Sequence, residues 1–154
     1  LNSLSKTFNL SGWRVGMLCG DKSLIESVVK VKSNMDSGMF YPIQKGGIAA
    51  LQSTGEWFEY LNGIYDKRRQ LIWQLCDQLN LIYDKNTSGL FVWAKILSDK
   101  TSKDLSDELL DDYDMFVTPG DVFGSQGQGY VRFSLCVKSK DIKICLERTK
   151  DFKA

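Results

Sequence analysis

Hydrophobic residues recur at helical spacing in the first half of the chain. One such run follows Asp21, a favourable N-cap residue, and comprises Leu24, Ile25, Val28 and Val31. Turn-forming residues from Ser33 to Tyr41 end this helix, and Pro42 suits the first turn of the next one, Ile43 to about Gln52. A longer amphipathic helix is predicted to about Leu79, with one face formed by Trp57, Leu61, Ile64, Leu71, Leu75 and Leu79.

Short apolar or alternating runs predict strands between these helices and after them. The run from Val15 to Cys19 suits a buried strand, and strand formers also fill Leu90 to Ile96, Met115 to Thr118 and Tyr130 to Leu135. Capping-box spacing at Ser53 and Glu56 places the start of the long helix. Two further helices are predicted, one over Thr101 to Leu110 and one that Ser139 caps, with Ile142, Cys145 and Leu146 on one face. Strands alternating with helices, followed by a smaller α+β unit, predict an α/β fold.

Composition narrows the function classes. The chain has 154 residues, 43% hydrophobic content and a net charge of +1 with interspersed signs, which disfavours a nucleic-acid or membrane partner. Histidine is absent, so His-based triads and His metal sites are excluded within it. The four cysteines form no C-x-x-C pair, which predicts buried, reduced thiols in a cytoplasmic protein and no metal site.

The first candidate site is the polar segment from Ser3 to Gly16 (SLSKTFNLSGWRVG). Its glycines allow close backbone approach to a ligand, while Ser3 and Arg14 suit phosphate oxygens. Lys6 is the one amine of the segment and is suited to Schiff-base chemistry. The alternative for a single lysine is a solvated charge on a surface loop.

The second candidate site is the predicted strand Tyr130 to Leu135, which follows a TPG turn and several glycines. Strand geometry places Tyr130, Arg132 and Ser134 on one face and apolar residues on the other. The apolar face is expected to pack on the core, which leaves Arg132 facing a cleft or solvent. From spacing alone, an exposed arginine on a half-buried strand is the commoner arrangement.

The two segments together resemble the class I/II aminotransferases of the aspartate aminotransferase type. S-x-S-K-x-F-x-x-x-G-x-R-x-G is similar to the cofactor-lysine signature of that family. The resemblance implies that Lys6 forms the Schiff base with pyridoxal phosphate and then serves as the base that moves the substrate proton. It also implies that Ser3 and Arg14 bind the cofactor phosphate, and that Arg132, in TPG…FG…G-x-G-Y-V-R-F-S, binds the substrate α-carboxylate.

The resemblance also implies a domain organisation. Residues 1–53 correspond to the end of the large cofactor domain of a fold type I enzyme, and residues 54–154 to its α+β small C-terminal domain, with the boundary inside the helix over 53–79. The chain begins at Leu1, inside the lysine motif, so we expect it to be part of a longer protein and catalytically inert by itself. The parent is expected to be a cytoplasmic homodimer without nucleic-acid or membrane partners.

Two further segments resemble the same family more weakly. The loop Lys32 to Gln44 resembles a segment that lies near the dimer interface of the family, and Thr87 to Trp93 resembles its Gly-Gly…Phe-x-Trp stretch, with Ser88 in place of one glycine. Trp93 itself is expected in the core.

Transamination between an L-amino acid and a 2-oxo acid is the leading function. A lyase or synthase on the same fold, or a non-catalytic module, stays open, as does the choice of amino acid.

Overall fold

A computed structural model describes residues 1–152 of the chain, which form two compact units. The first unit extends from Leu1 to Trp57 and the second begins at Phe58. The division therefore falls near the start of the longest helix, Gly55–Gln78.

The first unit combines a small antiparallel ribbon with helices. Strand β1 (Asn2–Ser3) runs directly into the short helix α1 (Leu4–Thr7), and a 3₁₀ turn at Ser11–Trp13 leads to strand β2 (Gly16–Met17). Helices α2 (Lys22–Lys32) and α3 (Tyr41–Leu51) follow. Their start signals are confirmed: Asp21 accepts from the backbone N–H of Ser23 at 2.8 Å, and Pro42 lies in the first turn of α3. Hydrogen bonds from Ser23 hold the pKa of the Asp21 carboxyl below its usual value.

The buried strand predicted over Val15 to Cys19 is wrong in length and in burial. Only Gly16 and Met17 are in strand conformation, and both are exposed, as are Leu18 and Cys19. β1 is the only strand that pairs with this segment among the described residues, so the other edge of β2 has no strand partner there. Apolar sequence alone cannot bury a strand when its neighbours do not cover it.

The second unit packs three helices on one face of an antiparallel sheet. The sheet has the order β3-β4-β6-β5, with strands β3 (Leu81–Tyr83), β4 (Phe91–Ile96), β5 (Thr118–Pro119) and β6 (Tyr130–Ser134). Helices α4 (Gly55–Gln78), α5 (Ser102–Tyr113) and α6 (Ser139–Arg148) supply the other side of the core. Alternation in the two central strands directs Val92, Ala94, Ile96, Val131, Phe133 and Leu135 into that core, as predicted for β6.

Several boundaries in this unit differ from the predicted ones. Helix α4 begins at Gly55, so Ser53 does not directly precede it as a capping residue would. Helix α6 starts at Ser139 itself, and its N-cap is Lys138, whose side chain makes no capping bond. The strand predicted over Met115 to Thr118 is wrong in its bounds, since only Thr118 and the following Pro119 form strand β5. The sequence pattern did not predict strand β3, because the strand is only three residues long.

Two arginines of α4 tie that helix to the ends of the central strands. Arg68 donates from Nη1 to the carbonyl oxygen of Leu135 at 2.8 Å, just after β6. Arg69, only 8% exposed, donates from Nη2 to the carbonyl oxygen of Gly89 at 2.7 Å, just before β4. Leu135 in turn donates its N–H to the carbonyl oxygen of Leu90 at 2.9 Å. These bonds hold in place the two strands that build the second candidate site.

The state of the cysteines and the character of the helices bear on the expectation of a cytoplasmic protein with buried, reduced thiols and no membrane partner. Cys76 is buried, and that burial raises the pKa of its thiol to about 12. Cys19 and Cys136 are exposed, so the prediction of buried thiols is wrong for them. All four cysteines are free. Within residues 1–152, no helix combines the length and the apolar character needed to cross a bilayer.

Candidate functional site

The lysine of the first site lies on α1, a single helical turn anchored by one buried residue. Leu4 is buried, whereas Lys6, two positions further, is exposed. Ser3 caps the turn: its Oγ accepts from the N–H of Ser5 at 3.1 Å and lies 2.9 Å from the Oγ of Ser5. The cap and the anchor therefore fix the backbone from which the Lys6 side chain extends.

Strand pairing brings the arginine of the motif back to this turn. Ser3 lies opposite Gly16 in the β1–β2 ribbon, and Leu4 donates its N–H to the carbonyl oxygen of Val15 at 3.1 Å. Arg14 directly precedes this pairing in a left-handed conformation with φ 54° and ψ 42°, and its Nη1 donates to the carbonyl oxygen of Ser11 at 2.8 Å. The structure therefore places Ser3, Lys6 and Arg14 on one continuous turn-and-ribbon element, as the motif predicts for neighbours in sequence.

Two neighbouring glycines of α3, Gly46 and Gly47, let this helix pack closely against the element that carries Lys6. A Cβ at Gly46 would come within 2.0 Å of the Trp13 ring, so the indole lies directly on the helix backbone. Gly47 is buried, and a Cβ there would be in ordinary contact with Leu4 and Val15 at 3.6–3.7 Å. Helix α3 thus packs against both arms of the element that carries Lys6.

Arg132 of the second site lies in the middle of β6, on the sheet face opposite the core. Its neighbours across the strands are Trp93 on β4 and Thr118 on β5. The guanidinium carbon lies 4.1 Å from the ring centroid of Phe91 and 4.4 Å from that of Phe123. The charged group therefore lies over two phenyl rings, an arrangement of the cation–π type.

Within residues 1–152, this guanidinium has no carboxylate partner and donates no hydrogen bond. Its Nε is buried and unpaired. A partly buried cation without a counter-charge is unfavourable unless an anion binds to it. Arg132 is therefore suited to bind a carboxylate.

Trp93 corrects one prediction, because it lies on this face of the sheet and not in the core. Its side chain is 39% exposed. The indole stacks on Tyr130 with a centroid distance of 5.5 Å and meets the edge of Phe123 at 5.6 Å. Strand alternation explains the outcome, since Val92 and Ala94 on either side take the core positions. Trp93 extends the aromatic surroundings of Arg132.

Two glycines position the loop that carries Phe123. A Cβ at Gly127 would meet the carbonyl oxygen of Gly120 at 2.0 Å, and a Cβ at Gly120 would meet that of Gly127 at 2.1 Å. The backbones of the 3₁₀ turns Gly120–Phe123 and Ser125–Gly127 therefore pack directly on each other. Between them, Gly124 has φ 106°, which a residue with a side chain rarely adopts. The glycine spacing that resembles the family motif thus has a local structural reason.

The aromatic partners of Arg132 were not identified from the sequence. Phe91 comes from another strand, and the strand register brings it to the arginine, whereas Phe123 comes from a loop. Alternation in β4 indicates that Phe91, Trp93 and Lys95 share the face opposite the core, which was the available signal. The register itself cannot be derived from that alternation.

The weaker matches have simple local structures. Met39, Phe40 and Tyr41, before and at the start of α3, are exposed, and Gln44 donates from Nε2 to the carbonyl oxygen of Met39 at 2.7 Å. Gly89, ahead of β4, has φ 89°. Among residues 1–152, neither segment contains a group of His, Cys, Asp or Glu side chains that could hold a metal ion.

Comparisons with known proteins cover the segments of both candidate sites. The family model "Aminotransferase class I and II" matches residues 1–148, and the chain belongs to this family. An LL-diaminopimelate aminotransferase of Halothermothrix orenii is 39% identical over 150 residues, which is 97% of this chain and 39% of that relative. The chain spans about two fifths of the length of the curated relatives it matches.

Solved structures give the same picture. Apo-BacF from Bacillus subtilis matches 99% of this chain and 39% of its own at a TM-score of 0.88 and 34% identity. An aromatic aminotransferase from Pyrococcus horikoshii matches 97% and 41% at a TM-score of 0.87 and 30% identity. The predicted α/β fold, that of the C-terminal region of a fold type I enzyme, is confirmed by these matches.

Proposed function

We propose that this chain is the lysine-bearing C-terminal part of a pyridoxal-phosphate-dependent aminotransferase, which moves an amino group between an L-amino acid and a 2-oxo acid. The observation that carries the proposal is the uncompensated Arg132 guanidinium, lying over two rings in a chain whose family acts on amino acids. Lys6 and Arg14 stand at the motif positions that the cofactor requires.

The residues of the first unit fit the cofactor. Ser3, Lys6 and Arg14 are exposed on one element, and none of the carboxylates described pairs with Lys6 or Arg14. A guanidinium and a serine hydroxyl suit the oxygens of a phosphate group, and an accessible primary amine suits an aldehyde. We therefore assign the phosphate to Ser3 and Arg14 and the covalent attachment to Lys6.

Each residue then has a defined task. Pyridoxal phosphate supplies the electron sink for the bond that breaks at the substrate Cα. Lys6 would hold the cofactor, and its Nζ would take the proton from the substrate Cα and pass it to the cofactor in one direction of the transfer and the reverse in the other. Arg132 binds the α-carboxylate, and its planar fork can donate two parallel bonds that orient the substrate.

Elimination or synthase chemistry on the same fold is the second candidate. Amino transfer is favoured because curated relatives of this chain are named LL-diaminopimelate aminotransferases. Their name also makes LL-diaminopimelate the first amino acid to test, followed by aspartate, alanine and aromatic amino acids. Product analysis with 2-oxoglutarate distinguishes the two reactions, because transfer yields glutamate whereas elimination yields ammonia.

The proposal extends to organisation and location. We assign residues 1–53 to the large cofactor domain and residues 54–154 to the small domain, and we infer a homodimer. Four free cysteines suit a reducing compartment such as the cytoplasm. We also infer that the 154-residue chain alone catalyses no amino transfer, and turnover above that of free cofactor with amino acid would contradict this.

Borohydride reduction tests the covalent site. The protein that contains this chain is incubated with pyridoxal phosphate, reduced and digested, and the modified lysine is located by mass spectrometry. We expect one phosphopyridoxyl group, on Lys6, and its loss in Lys6→Ala. Lys22→Ala, which removes an exposed lysine of α2, is the matched control and should keep the adduct. Modification spread over surface lysines would overturn the proposal.

A further inference from the structure

We propose that Phe91 and Phe123 are positioning residues for carboxylate binding, because their rings hold the Arg132 guanidinium in one plane and leave its terminal nitrogens to the ligand. The inference deepens the proposed function and rests on it for the identity of the ligand. It rests on the geometry of the second unit alone for the role of the rings.

The distances define the arrangement. The guanidinium carbon lies 4.1 Å and 4.4 Å from the two ring centroids, so both rings are within the range of cation–π contact. The planar guanidinium stacks readily on aromatic faces and is weakly hydrated there. Stacking restricts the orientation of the Arg132 fork before any ligand arrives, which lowers the entropy lost on binding.

Burial decides which nitrogens remain for the ligand. Nε of Arg132 has no exposed surface and no hydrogen-bond partner among residues 1–152. A carboxylate therefore reaches the two terminal Nη groups, which together form one bidentate fork. The rings set the direction in which this fork points.

The rings of Phe91 and Phe123 are themselves held by contacts with neighbouring residues. Phe123 is 50% exposed, yet its loop is held by the backbone contact of Gly120 with Gly127 and its ring meets the edge of Trp93. Phe91 is held through β4, whose start is fixed by the bond from Arg69 to Gly89. Because Phe123 is half-exposed, its contacts with Arg132 and Trp93 are the interactions that can hold its ring in place.

Steady-state kinetics on the protein that contains this chain form the first test. Phe91→Leu and Phe123→Leu keep an apolar side chain but remove the ring. Each should raise KM for the amino acid and for the 2-oxo acid by about 2- to 30-fold, the range that one cation–π contact confers. Phe91→Tyr and Phe123→Tyr keep a ring and should stay near the wild-type KM.

Two controls separate positioning from general damage. Phe152→Leu removes a ring whose described contacts are with Tyr113 and Lys100 and not with Arg132, so KM should not change. An amine that matches the amino acid but lacks its carboxyl group does not use Arg132. Its rate in the half-reaction should be the same in wild type and in both leucine variants. Equal losses with the amine would overturn the proposal.

NMR on the 154-residue chain tests the role of the rings without catalysis. The Nε–Hε signal of Arg132, assigned by its loss in Arg132→Lys, should be shifted upfield by the rings and move downfield in each leucine variant. Acetate, as a simple carboxylate probe, should bind the tyrosine variants like wild type and the leucine variants 2- to 30-fold more weakly.

The outcomes also separate this inference from the proposed function. An unshifted Arg132 signal in the wild-type chain, or equal acetate affinity in wild type and in the leucine variants, would overturn the positioning role. A protein that carries no cofactor on Lys6 but shows the shifted signal and the weakened acetate binding would refute the aminotransferase and retain the positioning role.

Discussion

Gly127→Ala places a methyl group inside the backbone contact of Gly120 with Gly127. The added Cβ would lie 2.0 Å from the carbonyl oxygen of Gly120, 2.5 Å from its carbonyl carbon and 3.2 Å from its Cα. Ordinary non-bonded contacts are about 3.5–4 Å, so the two backbones must separate by about 1.5 Å. All three atoms belong to the backbone, so no side chain can rotate away to relieve the clash.

The expected loss of stability follows from this geometry. Overpacking costs about 1–3 kcal/mol where side chains can adjust, and a backbone clash belongs at the upper end of that range. Replacing glycine by alanine also restricts the unfolded chain and returns about 0.4–1 kcal/mol. We therefore expect the free energy of unfolding of the second unit to fall by about 2 kcal/mol.

Urea denaturation of the 154-residue chain, followed by circular dichroism, measures the effect. With a slope of about 1–3 kcal/mol per M, the midpoint should fall by about 1 M. Gly63→Ala is the matched control in the same unit, because a Cβ at Gly63 meets nothing within 4 Å and the residue lies inside α4. That variant should gain about 0.5–1 kcal/mol from helix propensity. A Gly127→Ala midpoint equal to that of wild type would refute the backbone contact.

Three further predictions concern packing, capping and pH. Gly46→Ala should displace the Trp13 indole from α3, because a Cβ would lie 2.0 Å from a ring that is 43% exposed and can rotate away. An unchanged tryptophan fluorescence spectrum would contradict this. Thr101→Ala should lower the free energy of unfolding by about 1 kcal/mol, since Thr101 and Asp104 form a complete capping box. Ser139→Ala should leave the free energy of unfolding unchanged, because Ser139 makes no capping bond. Burial raises the pKa of the Cys76 thiol from 9.0 to about 12, so the folded state keeps a proton that the unfolded chain loses near pH 9. The stability from this group is therefore complete below pH 9 and lost as the pH rises towards 12, and Cys76→Ala should show a flatter urea midpoint from pH 8 to 11.

Local signals in the sequence predicted much of the secondary structure. The alternation in Tyr130 to Leu135 placed Arg132 opposite the core, and Asp21 and Pro42 marked the starts of α2 and α3 correctly. Each of these features depends on residues within one or two turns of each other. For the same reason the sequence indicated the lysine element, since Ser3, Lys6 and Arg14 are close neighbours along the chain.

Long-range contacts decided the rest. The rings around Arg132 come from Phe91, 41 positions earlier (132 − 91), and from the loop residue Phe123, and only the pairing of β4 with β6 brings Phe91 to it. Burial also depended on neighbours: Val15 to Cys19 is apolar but mostly exposed, and Trp93 faces away from the core. The sequence by itself indicated the candidate site residues and the face of β6 on which Arg132 lies. Tertiary structure alone decided what surrounds them, because register and packing depend on residues distant in sequence.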